Sequence, residues 1–261
     1  MRGRGRPRVQ GDAGDPGAMV GPSLSEYWES VEYFCALCRE ALPDVLVSFI
    51  VVGSLGAGDA VPGWSDVDAH LVVREATREV RKTAARLQRR VTERFPAFQT
   101  DRGSRFCVFV HSRREVLEGS EDVSFLAQWD LKRIGVVACG EDLPALLGDP
   151  PLDKGWLDRH TEWMIGFLAR ERDAPSHWKG VNAIGFILSG ARVAILKRGE
   201  YAKRKDEIAG IFTRLYPERA ATLGRAMEDR LRWPEVEGDE AEIDGVYEEA
   251  TDFLWWVRSL P

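Results

Sequence analysis

The chain has 261 residues, 44% of them hydrophobic and 30% charged, a composition typical of a globular protein that buries a substantial core. A formal net charge of −6 argues against a protein that coats nucleic acid, and no apolar run reaches the length of a membrane-spanning helix. The basic N-terminus lacks the apolar core of an export signal, so we predict a cytoplasmic protein with reduced cysteines and no membrane partner.

Residues 1–22 are predicted to form a disordered basic tail, because they are rich in Gly, Pro and Arg and offer little to bury. The stretch RGRPR at residues 4–8 is similar to the core of an AT-hook, which binds the minor groove of DNA. We favour a solvated tail, or translation from Met19, so nucleic acid is not an expected partner outside this segment.

Residues 23–149 are predicted to form an α+β domain, a small mixed sheet flanked by helices. Ser23 and Glu26 match the capping box that starts a helix. An amphipathic basic pattern predicts a helix over 75–95, and a shorter helix is expected over 124–132. Apolar, β-branched runs predict four strands, over 44–52, 67–73, 105–111 and 134–139.

Residues 150–261 are predicted to form an all-helical C-terminal domain, because the apolar residues repeat there with the period of a helix. A Leu-Gly-Asp-Pro-Pro segment at 147–151 marks the boundary between the two domains. The predicted helices span 156–169, 181–196, 207–216, 217–231 and 243–257.

The segment between the first two strands is predicted to begin as a glycine-rich loop, and it contains the candidate site residues. Its glycines, beginning at Gly53, let backbone N–H groups and the Ser54 hydroxyl approach phosphate oxygens. Asp66 and Asp68 are two residues apart on a strand, so both carboxylates leave the same face. Two such charges repel unless a cation lies between them, and Mg²⁺ is the expected cation because it shares its ligand shell with substrate phosphates.

Gly53-Ser54, a spacer of eleven residues and Asp66-x-Asp68 together resemble the signature of the polymerase-β-type nucleotidyltransferase superfamily. The resemblance implies that Asp66 and Asp68 are catalytic and hold Mg²⁺, and that Gly53, Ser54 and Ser65 bind the nucleotide. The alternative is a β-hairpin whose loop carries ordinary turn residues, with Asp66 as a cap.

The stretch Asn182 to Ile208 resembles the aminoglycoside adenylyltransferases that modify streptomycin and spectinomycin, a group linked to antibiotic resistance. The resemblance implies that Arg192 and Lys205 bind the triphosphate of ATP, which agrees with their charge. It also implies transfer of a nucleotide, AMP from ATP, onto a hydroxyl of a small polar, aminoglycoside-like acceptor. A catalytically reduced protein that binds nucleotide or a protein partner without turnover is the second hypothesis.

The sequence departs from this family at the third metal carboxylate, which the family places on the third strand. Arg105 stands at that position, and Asp101 is the candidate ligand if the strand begins earlier. An arginine there would lower metal affinity. The general base stays open among three acids, Glu118, Glu121 and Asp122.

Four cysteines and a histidine offer other candidate sites. Cys35 and Cys38 form a C-x-x-C pair that, with Cys107 and Cys139, could supply four zinc ligands, but all lie in apolar patterns and we interpret them as core thiols. His70 follows Asp68 closely and is predicted to face either the core or the site.

Overall fold

The computed structural model describes residues 22–100, 103–120 and 123–261. The predicted tail therefore lies outside the described residues, apart from Pro22. The chain separates into two compact units, Met1–Pro150 and Pro151–Pro261. The structure is mixed α+β, with a small mixed sheet and a helical region.

The first unit begins with helix α1 (Leu24–Ala41), whose predicted capping box is confirmed. The Ser23 hydroxyl accepts from the Glu26 N–H at 3.3 Å, and the Glu26 carboxylate accepts from the Ser23 N–H at 2.8 Å. The remaining elements follow in chain order: β1 (Leu46–Val52), α2 (Gly53–Ala57), β2 (Val67–Val73), α3 (Arg78–Arg94), β3 (Gln99–Thr100), β4 (Gly103–Ser104), β5 (Phe106–Ser112), α4 (Arg113–Glu118), α5 (Phe125–Arg133), β6 (Val136–Gly140) and α6 (Leu143–Leu146).

A four-stranded sheet organises this unit, in the order β5-β2-β1-β6, while β3 and β4 form a separate short ladder. Strand β1 runs antiparallel to both β2 and β6, and β2 runs parallel to β5. This register sets Val52 opposite Asp68 and Asp68 opposite Cys107. The end of β1 and the start of β2 are therefore brought next to the start of β5.

Each face of the sheet is covered by helices. Val67, Ala69 and Leu71 of β2 belong to a core cluster that also contains residues of α1 and α3. Val72 belongs to a second cluster, with Leu131 of α5. Because side chains alternate along a strand, the even-numbered residues of β2 point toward the second face. Asp68 and His70 therefore lie on the face that α4 and α5 cover.

The second unit is described only by helices: α7 (Lys154–Arg170), α8 (Ser176–Lys197), α9 (Lys205–Leu215), α10 (Ala220–Leu231), α11 (Trp233–Val236) and α12 (Glu240–Ser259). Helix α8 packs against α7, α9, α10 and α12. Its segment Trp178–Lys197 is long and apolar enough to cross a membrane, but 61% of its most apolar window is buried within the structure. Burial of this kind is typical of the central helix of a packed bundle.

One sequence-based expectation is wrong in the region of the site. The residues after β1 were expected to form a glycine-rich loop, whereas Gly53–Ala57 form the one-turn helix α2. Gly58 ends the helix in the left-handed conformation (φ 78°), which glycine adopts without a steric penalty. The connection to β2 is thus a short helix followed by a turn.

Candidate functional site

The two aspartates of the predicted site lie at the start of β2. Asp66 immediately precedes the strand and is exposed, whereas Asp68 is its second residue and is half-buried. The two carboxylates are close enough for the charge of Asp68 to affect the ionisation of Asp66. The structure therefore brings together the two residues that the sequence pattern selected.

Gly53 gives the Asp68 carboxylate its space. It has a φ of 62°, in the left-handed region, and a Cβ atom at this position would lie 2.7 Å from Asp68 Oδ2. Any side chain here would press on the carboxylate and would also strain the backbone. Glycine at residue 53 therefore allows the observed position of the Asp68 carboxylate without a steric clash.

The turn that leads into Asp66 is held by hydrogen bonds that are buried or partly buried. The Ser65 hydroxyl accepts from the Val61 N–H at 2.8 Å, and the Tyr27 hydroxyl donates to the Ser65 carbonyl at 2.5 Å. Arg105 donates to the Gly63 carbonyl on the other side of the turn. Ser65 is 3% exposed, so its observed contacts are those of an anchor for the turn. Its predicted contact with nucleotide stays untested.

The negative charge of the pair is reflected in the protonation of Asp66. Desolvation by its surroundings and then the Asp68 carboxylate raise the pKa of Asp66 to about 7, against a smaller opposing effect of Arg105. Because the Asp66 side chain is exposed, water tempers the desolvation. The repulsion between the two carboxylates is the second cause of the raised pKa. A cation between them would relieve it.

The position beside Asp68 on β5 carries no acid. Cys107 is paired with Asp68 in the parallel register, and Arg105, two residues earlier, interacts electrostatically with Asp66. Desolvation and the two aspartates raise the pKa of the half-buried Cys107 thiol to about 12. The interpretation of Cys107 as a core thiol is thus wrong, since it faces the pair. Sequence alone could not establish this, because it does not give the register between β2 and β5.

The described part of the chain supplies no third metal carboxylate. Within residues 22–100, 103–120 and 123–261, no three His, Cys, Asp or Glu side chains are grouped so that they could hold a metal ion. Asp101, the predicted third ligand, lies outside the described residues, as do Glu121 and Asp122. Glu118 is exposed at the end of α4.

A cavity of ≈ 310 Å³ opens beside the aspartate pair, and it contains an acid that sequence reasoning did not select. Its wall includes Gly53 and Asp68 on one side and Asp130 of α5 on the other. Asp130 lies in a helix that was predicted, but the face that this helix turns toward the sheet could not be read from its weak periodicity. The cavity is large enough for a small ligand that contacts both Asp68 and Asp130.

Two histidines line the same cavity. The rings of His70 and His111 are stacked with their centroids 5.1 Å apart. Burial, followed by the neighbouring His111, lowers the pKa of His70 to about 3, so its imidazole is neutral at physiological pH. His70 faces this cavity, which answers the question that its sequence position left open.

The predicted phosphate-binding cations belong to the second unit. Arg192 of α8 is half-buried, with its guanidinium 5.5 Å from the centroid of the Tyr201 ring. Burial and the charge of Arg192 lower the pKa of the neighbouring His160 to about 4. Lys205 is the first residue of α9. Asp66 and Asp68 lie in the first unit, so a joint role of all four residues remains a prediction.

The donor set of the first unit fits a hard divalent cation that is only partly bound by protein. Mg²⁺ is commonly held by one or two carboxylates, with phosphates and water completing its octahedron. Two adjacent carboxylates, one with a raised pKa, satisfy the protein's share of such a site. Gly53 leaves the space above them free of a side chain.

No protein-family model matches the chain, and no curated protein matches it in sequence. Among solved structures, it is similar to the crystal structure of spectinomycin adenyltransferase AAD(9) from Enterococcus faecialis with ATP and spectinomycin. The TM-score is 0.58 at 17% sequence identity, over 85% of this chain and 98% of that chain. At this identity the similarity concerns the arrangement of the backbone. The chain has a nucleotidyltransferase-like fold with a helical region.

Proposed function

We propose that the protein is a metal-dependent nucleotidyltransferase that moves AMP from ATP onto a hydroxyl of a small polar acceptor. The observation that carries the proposal is the adjacent pair of carboxylates, Asp66 and Asp68, beneath a glycine turn in a nucleotidyltransferase-like fold. The solved structure of similar fold contains ATP and spectinomycin, which supports a nucleotide and an aminoglycoside-like acceptor as the substrates.

In this proposal Asp66 and Asp68 hold Mg²⁺ against the triphosphate. The bound ion would neutralise charge on the phosphates and lower the pKa of a coordinated hydroxyl. Gly53 and Ser54 would bind the phosphates, and Ser65 fixes the turn that presents Asp66. Arg192 and Lys205 would supply positive charge to the triphosphate. Most of the rate then comes from positioning and from charge stabilisation.

The acceptor is proposed to occupy the cavity between Asp68 and Asp130. Two carboxylates and two imidazoles around a small cavity favour a hydroxylated molecule that carries positive charge. Asp130 is the described acid that shares a cavity with Asp68, so we propose it as the general base that accepts the proton of the attacking hydroxyl.

A second candidate function is binding of nucleotide without turnover. It is favoured by Arg105, immediately before β5, and by Cys107 within β5, because the family that the sequence resembles is expected to carry an acid at this place. A cation and a protonated thiol next to the pair would weaken metal binding relative to a site with three carboxylates.

Release of pyrophosphate distinguishes the two functions. The full chain would be incubated with Mg²⁺, each of ATP, GTP, CTP and UTP, and a panel of aminoglycosides and polyols. We expect pyrophosphate with ATP and an acceptor, and its loss in Asp66→Asn and Asp130→Asn. The matched control is Asp44→Asn, which changes an exposed aspartate at the entry to β1. Saturable binding of ATP without pyrophosphate from any acceptor would reject the enzyme in favour of the second function.

A further inference from the structure

The cavity beside the aspartate pair is lined by an aromatic ring that the proposed function does not use. Phe109 is 51% exposed, whereas the other residues of β5 are buried or half-buried. The parallel register pairs Phe109 with His70 and Cys107 with Asp68. Because side chains alternate along a strand, the Phe109 ring lies on the same face of the sheet as Asp68. The ring therefore belongs to the cavity that contains the candidate site.

The Phe109 ring is supported by neighbouring imidazoles. Its centroid is 5.5 Å from that of His70, at an interplanar angle of 32°, and the His70 ring stacks on that of His111 with the centroids 5.1 Å apart. His70 is 4% exposed, so packing fixes its position. A ring supported in this way loses little conformational entropy when a ligand stacks on it. Strand β5 thus presents a fixed apolar platform to the cavity.

The lining of the cavity combines apolar and charged surfaces. Phe109 of the sheet and Ala127 of α5 are apolar, whereas Asp68 and Asp130 bring one carboxylate from each of these two elements. A six-membered polyhydroxylated ring has the matching distribution, because its faces carry C–H groups and its rim carries the polar groups. An open-chain polyol would have to give up several bond rotations to present such a face.

The size of the cavity and the spacing along the strands limit the ligand to about one ring. The volume of ≈ 310 Å³ is at the lower end of the range for small-molecule sites, about 300–1,000 Å³. Asp68 and Phe109 stand two residues apart in the register, which corresponds to about 7 Å along the strands. One six-membered ring with its substituents spans such a distance. A ring on Phe109 can therefore direct a hydroxyl group toward the Asp68 carboxylate.

We propose that Phe109 is a specificity-determining residue, which stacks against one face of a six-membered ring of the acceptor, a cyclitol or a pyranose. This inference rests on the proposed function, because it takes the cavity to be the acceptor site. Stacking fixes the plane of the ring and so selects the hydroxyl group that lies toward Asp66 and Asp68. Acceptors with the same polar groups on an open chain are selected against.

Binding of two matched amino sugars by the full chain, without ATP or Mg²⁺, tests the inference. Methyl glucosaminide has the six-membered ring, whereas glucosaminitol carries its amine and hydroxyls on an open chain. Ligand-detected NMR titration measures the Kd of each. We expect the parent to bind the cyclic probe at least about threefold more tightly than the open-chain probe.

Replacement of the ring should remove this preference. Phe109→Leu should weaken binding of the cyclic probe about three- to tenfold, the range for loss of one aromatic contact, and leave binding of the open-chain probe unchanged. Phe109→Trp should keep the preference, because it retains an aromatic face. The control variant, Trp255→Leu, removes a ring that is 58% exposed on α12 and should bind both probes as the parent does. Thermal melts establish that each variant is folded.

The inference is overturned if neither probe binds, if the parent does not distinguish them, or if Phe109→Leu keeps the preference for the ring. Asp66→Asn should bind both probes normally, because no metal takes part in the measurement, so failure of the proposed transferase function would leave the result unchanged. Conversely, Phe109→Leu could release pyrophosphate with the kcat and KM of the parent for cyclic and open-chain acceptors alike. That outcome would reject the role of Phe109 and leave the transferase function standing.

Discussion

The charge on Asp66 makes the stability of the metal-free protein depend on pH. Its pKa is about 7 in the folded state, against about 3.9 for an unfolded aspartate. Between these values the unfolded chain releases the proton and the folded chain retains it, so stability falls as pH rises. We predict that Asp66→Asn raises the melting temperature in EDTA, by an increment that grows from pH 4 to pH 7 and is constant above it.

The same variant should no longer be stabilised by Mg²⁺ at pH 8, because one of the two carboxylates is lost. Asp44→Asn is the control, since it removes an exposed aspartate outside the site. Thermal melts at a series of pH values measure both effects. An increment that is equal at pH 4.5 and pH 8 would show that the pKa of Asp66 is not raised in the folded protein.

Gly53 is a second residue whose replacement gives a specific result. In Gly53→Ala the new methyl group would meet Asp68 Oδ2 at 2.7 Å, and the carboxylate, as the end of a side chain, would move away. Together with the left-handed φ, we expect a loss of about 1–2 kcal/mol in the free energy of unfolding. We also expect at least a tenfold loss of Mg²⁺ affinity, measured by calorimetry.

The matched control for this variant is Gly148→Ala. A methyl group there would meet no atom within 4 Å, so neither stability nor metal binding should fall. Unchanged Mg²⁺ affinity in Gly53→Ala would mean that Asp68 does not hold the ion.

The sequence predicted the aspartate pair but not the residues around it. Gly53, Asp66 and Asp68 are close along the chain, so their spacing alone indicated a site. Cys107 and Asp130 reach the same place through the pairing of β2 with β5 and the packing of α5. These are contacts between distant segments, and no local periodicity specifies them.

At the scale of elements, the segments with strong periodicity formed the strand and the helix that were predicted for them. The strand expected over 67–73 is observed as Val67–Val73, and the helix expected over 75–95 as Arg78–Arg94. Helix α2 was missed because Gly-Ser-Leu-Gly-Ala is a poor helix-forming sequence in isolation. In the protein this segment packs tightly against its neighbours: a Cβ atom added at Gly56 would lie 2.8 Å from the Val51 carbonyl oxygen. These tertiary contacts fix the backbone of α2.

The ends of three helices in the second unit meet at Lys197. Its ammonium group is almost fully buried and donates to the carbonyls of Val257 (3.1 Å) and Leu260 (2.8 Å). It also pairs with Asp158 at 2.7 Å. It therefore links α8 to α7 and to the C-terminal end of α12.

We predict that Lys197→Met lowers the free energy of unfolding by roughly 2–3 kcal/mol. The variant removes the ammonium donor from the Leu260 carbonyl and leaves the Val257 carbonyl with the Leu260 N–H at 3.3 Å, while Asp158 keeps access to water and to Arg258. Urea denaturation followed by tryptophan fluorescence measures the change, and Lys203→Met, at an exposed position, is the control. A loss below about 0.5 kcal/mol, the usual range for surface substitutions, would contradict this role.

At the scale of the whole molecule, each of the two units is compact by itself. Residues 147–153 between α6 and α7 have no regular secondary structure, and Leu152 is 40% exposed. We predict that brief treatment with chymotrypsin cuts within this segment, at Leu147 or Leu152, before it cuts inside any helix of either unit.

Mass spectrometry of the fragments identifies the cut. The expected C-terminal product begins at residue 148 or 153, and Leu152→Ser should slow its release. Early cleavage within α8 or α12 would instead show that the helical unit opens more readily than the segment before it.

The backbone arrangement is similar to that of a solved protein at only 17% sequence identity. The residues needed to form a fold are therefore less specific than the residues needed for a reaction. Apolar alternation in β1 and β2 is met by many combinations of residues, so architecture persists after sequence similarity has disappeared.

The contact between Arg81 and β5 has a consequence for the behaviour of the molecule at high concentration. Strand β5 ends the sheet, and Arg81 donates to the Val110 carbonyl at 2.8 Å. The unpaired N–H and carbonyl groups of an edge strand can pair with a strand of another molecule, and this pairing can begin aggregation. Here the Arg81 guanidinium already donates to the Val110 carbonyl of β5. A strand of another molecule would have to displace this charged side chain before it could pair with β5.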